Sequence, residues 1–199
     1  MSRASLREKA DRASVFRSRT LVCVVENPKY INNLTGIIRT AEALSVGKVY
    51  IIDDGRLKLP KDWQNMREDP KLLNLSASGI KWLYVKKFSS TAECLQYLAK
   101  KNFINVGTSS HPIGKKNVPL SEGKYIQHHL AVWFGNETRG LSQEALDACD
   151  FCIQIPMYGI IESMNLSSSA SIVLQYIVEK RHAYSRNKLE KRKLAKSFG

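Results

Sequence analysis

Apolar positions along this 199-residue chain fall into two alternating patterns: short continuous runs, and stripes spaced three and four residues apart. The runs are Leu21–Val25, Val49–Ile52, Trp82–Val85, Phe103–Gly107, Leu130–Phe134 and Phe151–Ile155. Each is short and bounded by polar residues, glycine or proline, as expected of strands covered on both faces. Between them lie helical stripes. The first is Leu34, Ile37, Ile38, Ala41 and Leu44, closed by Gly47 as a helix stop, and the second is Ala92, Leu95, Leu98 and Ala99 within 90–101. A short helix follows over 142–148, and the last stripe is Leu166, Ala170, Val173, Leu174, Ile177 and Val178. Residues 54–79 contain Gly55, Pro60, Pro70 and Gly79 and read as a long connection with a short helix around 70–75; residues 109–128 read as a polar excursion. Strand–helix alternation predicts an α/β fold, a mostly parallel sheet with helices on both faces. There is no internal repeat and no G-x-G-x-x-G, so the common dinucleotide fingerprint is missing from a fold class that would suit it.

Composition fits one domain with one good core, since 43% of residues are hydrophobic. No apolar run approaches 20 residues, so no membrane span is expected. The opening Met1–Arg7 is charged without an apolar segment after it, unlike a secretory signal, and a cytoplasmic protein is expected. The formal net charge is +13, and its placement matters more than its size. Residues 1–20 carry six Lys/Arg and two acids, and residues 180–199 carry eight and one. The stretch between is nearly balanced. The expected organisation is a basic N-terminal arm or helix over 1–20, a central domain over 21–180 and a basic tail over 181–199. Two cationic ends on a neutral core suit capture of a polyanion, RNA or DNA.

Cys149-x-x-Cys152 has the spacing of a metal or redox half-site, but no second CxxC or paired His motif completes it. Cys23, Cys94, Cys149 and Cys152 are therefore expected as reduced packing thiols. His128-His129 would chelate poorly from a strand, where neighbours point to opposite faces. No metal site is expected.

Three segments carry candidate chemistry. In Asn27–Ala43, Asn33 and Gly36 lie on one side of the first turn of a predicted helix, with Arg39 a turn after Gly36. In Phe134-Gly135-Asn136-Glu137-Thr138-Arg139-Gly140-Leu141-Ser142 a buried strand enters a two-glycine loop, with Ser142 as a helix N-cap. In Ile155–Ser167 a strand ends at Pro156, turns through Gly159 and enters a helix through Ser163 and Asn165, residues able to cap backbone N–H groups. Such a junction at the carboxyl end of a strand is a ready ligand cradle.

In this order the three segments resemble the motifs of the SpoU family, the RNA 2′-O-ribose methyltransferases of the SPOUT class. Met164 and Leu166 stand where the family often shows Leu and Val, apolar exchanges of little consequence. The resemblance implies S-adenosylmethionine as methyl donor, a deep C-terminal trefoil knot and a homodimer with its active site at the subunit interface. It implies a cofactor pocket at Thr108, Gly135, Ile155, Met157, Ser163, Met164 and Leu166, and a catalytic set of Asn33, Arg39, Glu137 and Asn165. Within the family, a short chain with basic ends is most similar to the tRNA guanosine-2′-O-methyltransferases that act on the D-loop. Ribosomal RNA and the tRNA anticodon loop are the alternative targets, and a non-catalytic RNA-binding protein on the same scaffold is the competing class.

Overall fold

A computed structural model of the chain describes residues 5–109 and 117–197. Residues 1–4 of the basic arm, 110–116 of the polar excursion and the final two residues of the tail lie outside it, as do the side chains of Arg192 and residues 194–197. In chain order the elements are α1 (Leu6–Phe16), β1 (Ser18–Glu26), α2 (Ile31–Ala43), β2 (Val46–Ile52), α3 (Trp63–Glu68), α4 (Pro70–Leu75) and β3 (Tyr84–Phe88). They continue with α5 (Thr91–Ala99), β4 (Ile104–Thr108), β5 (Asn117–Pro119), β6 (Leu130–Phe134), α6 (Gln143–Ala148), β7 (Phe151–Gln154) and α7 (Leu166–Ser197).

The strands form one sheet in the order β3-β2-β1-β6-β4-β7-β5, and every pairing is parallel. Because side chains alternate along a strand, the uniformly apolar runs supply two cores at once. Leu21, Cys23 and Val25 of β1 pack with Leu34, Ile37, Ile38 and Ala41 of α2 and with Ala170, Val173, Leu174 and Ile177 of α7. Val22 and Val24 face the other way, toward Cys94 and Leu98 of α5 and Ala145 and Leu146 of α6. Leu34, Ile37 and Ile38 are fully buried, each contributing about 1.5–3 kcal/mol of transfer free energy. All four cysteines are buried, Cys23 in the first layer and Cys94, Cys149 and Cys152 in the second.

Several boundaries differ from the sequence expectation. Gly47 does not stop α2. The helix ends at Ala43, Ser45 takes the left-handed turn at φ 56, and Gly47 lies inside β2, where a Cβ would sit 2.5 Å from the Ser18 carbonyl oxygen. Trp82 belongs to a single 3₁₀ turn (Gly79–Trp82), so the third strand starts later, at Tyr84. The connection over 54–79 holds two short helices, each capped by an aspartate, Asp62 on α3 and Asp69 on α4. Within 109–128 the three-residue β5 completes the sheet; it pairs only with β7, and an outer strand tolerates Pro119 because its missing N–H faces no partner.

α7 runs unbroken for 32 residues, through nearly all of the expected basic tail. Its buried stripe ends at Val178, and three residues on the Arg181 guanidinium clamps the helix in place. It donates to the carbonyls of Tyr125, Gln127 and His128 and to the Thr20 hydroxyl. α1, by contrast, buries none of its residues. Phe16 meets His182 of α7 with ring centroids 5.7 Å apart.

Candidate active site

β6, β4 and β7 are neighbours, and all three end on the same side of the sheet. Past their carboxyl ends opens a cavity of about 450 Å³, within the roughly 300–1,000 Å³ usual for small-molecule sites. Phe134, Leu141, Leu146 and Ile153 give it apolar walls. Thr108, Gly135, Ile155, Met157, Ser163, Met164 and Leu166 all line it, together with Asn33, Glu137 and Asn165. Ten of the eleven candidate site residues therefore meet around one space.

The loop after β6 is built to hold its shape. Gly135 packs so closely that a Cβ there would lie 2.1 Å from the carbonyl carbon of Gly140. Asn136 and Gly140 exchange two backbone hydrogen bonds of 2.9 Å, and Gly140 closes the loop at φ +68. The Asn136 side chain accepts from the N–H groups of Thr138 and Arg139 and donates to the Asn27 carbonyl at the end of β1. Behind the loop, buried Glu26 accepts from the Ser142 N–H and from the hydroxyls of Ser142 and Thr91. The Ser142 hydroxyl also caps α6. Glu26 and Asn136 thus tie the loop to β1 from two directions.

Glu137 starts a chain of hydrogen bonds that crosses the site. Its carboxylate accepts from the backbone N–H of Lys29 (2.7 Å) and of Tyr30 (3.2 Å) and from the Asn33 amide (2.7 Å). Burial by itself pushes this carboxyl up, but the bonds from Asn33 and the Lys29 and Tyr30 amides outweigh it, and the net effect holds Glu137 below the usual glutamate range. Asn33 then accepts from the Asn165 amide at 2.9 Å. Asn165 in turn takes the Ser167 N–H, the Ser167 hydroxyl and the Ser168 N–H on its own oxygen, which makes it the N-cap of α7. Ser163 lines the cavity and takes no part in the cap. Three side chains from three distant segments are therefore fixed in one orientation, with the amide of each asparagine aimed at the oxygen of the next group.

Arg39 is the exception. It is exposed on α2, six residues past Asn33, roughly 9 Å further along the helix axis. It does not line the cavity, and its Cα packs near Gly79 instead. Sequence reasoning also passed over Tyr30, Glu26 and Asn136. The one sequence cue for Glu26 is an acid ending an otherwise apolar strand run.

A parallel sheet covered on both faces, with a cavity at its strand ends walled by loops and one amide-held carboxylate, defines an α/β protein that takes a small ligand at the carboxyl edge. Comparison with known proteins makes this specific. The chain belongs to the SpoU rRNA Methylase family, whose model matches residues 20–175. A tRNA (guanosine(18)-2′-O)-methyltransferase of Borreliella burgdorferi is 30% identical over 159 residues, covering 80% of this chain, which spans 66% of that enzyme's length. Among solved structures, the A. aeolicus TrmH/SpoU tRNA modifying enzyme superposes with a TM-score of 0.74 at 24% identity, covering 90% of this chain and 86% of that one. The SpoU methyltransferase AviRb from Streptomyces viridochromogenes, in complex with AdoMet, gives 0.69 at 26% identity, covering 92% and 67%.

Proposed function

We propose that this protein transfers a methyl group from S-adenosylmethionine to a ribose 2′-hydroxyl of RNA, with a tRNA guanosine as acceptor. The observation that carries the reading is the Glu137–Asn33–Asn165 relay in the wall of the cavity, within a chain of the SpoU family. The cavity suits the cofactor chemically. Leu141, Leu146 and Ile153 offer an apolar slot for a flat base, and Thr108, Ser109 and Ser163 offer polar groups. Gly135, Ile155, Met157, Met164 and Leu166 complete the cofactor-binding set. When bound, S-adenosylmethionine supplies an electrophilic methyl group on a positive sulfur.

The chain's own residues then align the acceptor and help remove its proton. Glu137 and Asn165 hold position, since each already satisfies several donors or acceptors. Arg39 contacts the phosphate next to the acceptor ribose and polarises the hydroxyl, leaving the phosphate to assist deprotonation. A guanidinium stays protonated at neutral pH and is a poor literal base. Because Arg39 lies outside its own chain's cavity, it serves the site of a second copy in a homodimer. Tyr158, Ile160 and Ile161 beside the cavity are 95%, 101% and 72% exposed, which supports a partner surface there. The proposal includes the C-terminal trefoil knot, supported by the return of the chain from β7, next to the edge strand β5, to α7 packed on α2. It includes the basic ends, α1 and the far part of α7, as the RNA grip, and a cytoplasmic location. None of the described helices is long and apolar enough to cross a membrane.

The test incubates the protein with labelled S-adenosylmethionine and total RNA and maps 2′-O-methyl marks by nucleotide. The expected mark is on a tRNA guanosine; a mark confined to ribosomal RNA overturns the tRNA assignment. Cofactor binding without transfer to any RNA overturns the enzyme reading. Arg39→Lys is expected to keep cofactor affinity and lose most of the transfer rate, because a point charge does not replace the planar fork. Full activity in that variant removes the role given to Arg39.

A further inference from the structure

Tyr30 breaks a local rule. It is the N-cap of α2, a position where Ser, Thr, Asp or Asn usually supplies a side-chain acceptor, and it makes no side-chain cap bond. Its backbone is nonetheless fixed, since its N–H donates to the same Glu137 carboxylate that holds Asn33. Tyr30 is 53% exposed and lines the cavity. The Lys29 ammonium lies 5.2 Å from the ring centroid. An exposed ring on a fixed backbone, with a cation over one face, leaves its other face for a base of single-stranded nucleic acid and the charge for a phosphate. Local rules are broken where function requires it.

Resting on the methyltransferase reading above, we propose that Tyr30 is the stacking platform for a base of the RNA acceptor, with Lys29 on a neighbouring phosphate. Glu137 then has two tasks. It orients Asn33 inside the cavity and sets the height of Tyr30 at its rim, so base placement and site geometry share one anchor. Tyr30 acts by positioning substrate and takes no part in proton transfer.

The experiment compares steady-state methyl transfer by the wild type, Tyr30→Leu and Tyr30→Phe, using an unmodified tRNA transcript and labelled S-adenosylmethionine, with cofactor affinity measured separately by calorimetry. For Tyr30→Leu, KM for RNA is expected to rise about tenfold or more, the scale of one lost base–aromatic stack, with cofactor affinity unchanged. Tyr30→Phe, which keeps the ring, is expected to recover most of that loss. A wild-type KM in Tyr30→Leu overturns the platform and leaves the enzyme reading standing. Lost cofactor affinity in Tyr30→Leu overturns it too, by making the side chain structural. A wild type that transfers no methyl group to the tRNA transcript removes the tRNA-acceptor reading, and this one with it.

Discussion

Glu137 holds two backbone amides and one side-chain amide at once, so replacing it tests more than a charge. Glu137→Gln keeps the shape but weakens every bond made to the ion, and turning its amide toward Asn33 sets donor against donor. Stability is expected to fall by about 1–2 kcal/mol, and transfer rate by more than tenfold with cofactor affinity moving less. The pH dependence has a definite sign. The folded carboxyl titrates below its unfolded value, so its contribution is complete above the ordinary glutamate value of roughly 4.3. It drains as pH falls through that value toward the depressed folded one. Denaturant titrations at pH 7 and pH 3.5 are expected to show wild type and Glu137→Gln converging at the lower pH; a constant gap overturns the assignment. At this scale the sequence was legible as to which residues come together. Asn33, Glu137 and Asn165 stand out in their segments, and the structure joins them by 2.7 and 2.9 Å bonds. Glu26 was not legible. A lone acid at a strand end does not disclose that Thr91 and Ser142, 65 and 116 positions away, will close around it.

α2 and α7 cross at close range. A Cβ on Gly36 would come within 3.1 Å of the Ser167 Cβ, and Ser167 is bound to the Asn165 side chain. Gly36→Ala should therefore separate two quantities that usually move together. Alanine favours the helix by roughly 1 kcal/mol over glycine, which offsets the crowding, so the melting temperature is expected to shift by only a few degrees. The N-terminus of α7 must still give way, and Asn165 moves with it. Cofactor affinity is expected to drop several-fold, as read by calorimetry; an unchanged affinity removes the link from Gly36 to Asn165. The long elements were legible because their stripes are clean: Val173, Leu174 and Ile177 are fully buried, as their spacing requires. Short ones were not. β5 has three residues, one of them proline, and exists because β7 offers a free edge rather than because Asn117–Pro119 prefers to be a strand. Gly47 misled for a similar reason, since glycine answers equally to a turn and to the nearness of the Ser18 carbonyl.

For the whole molecule, charge and core are separated. The residues that fix α7 end at Val178 and Arg181, while six further Lys/Arg lie beyond Tyr184. Deleting residues 185–199 is thus expected to leave melting temperature and cofactor affinity near those of the full chain. The slope of log affinity for tRNA against log salt should become shallower by about one for each phosphate contact removed. An unchanged slope takes the far part of α7 out of the RNA grip. The charge segregation was plain in the sequence; that the tail is a continuation of a packed helix was not, because the apolar stripe lapses long before the helix does. The relay through Asn33 also sets a timetable. Its two partners lie 104 and 132 positions downstream, and the last wall of the cavity is the final stretch before α7. During synthesis, much of the sheet can pair before any site exists. A half-made copy carries the basic N-terminal residues but has neither the pocket nor the larger cationic stretch of α7. The pocket and the relay through Asn33 thus come into being together, only once the residues leading into α7 have been made.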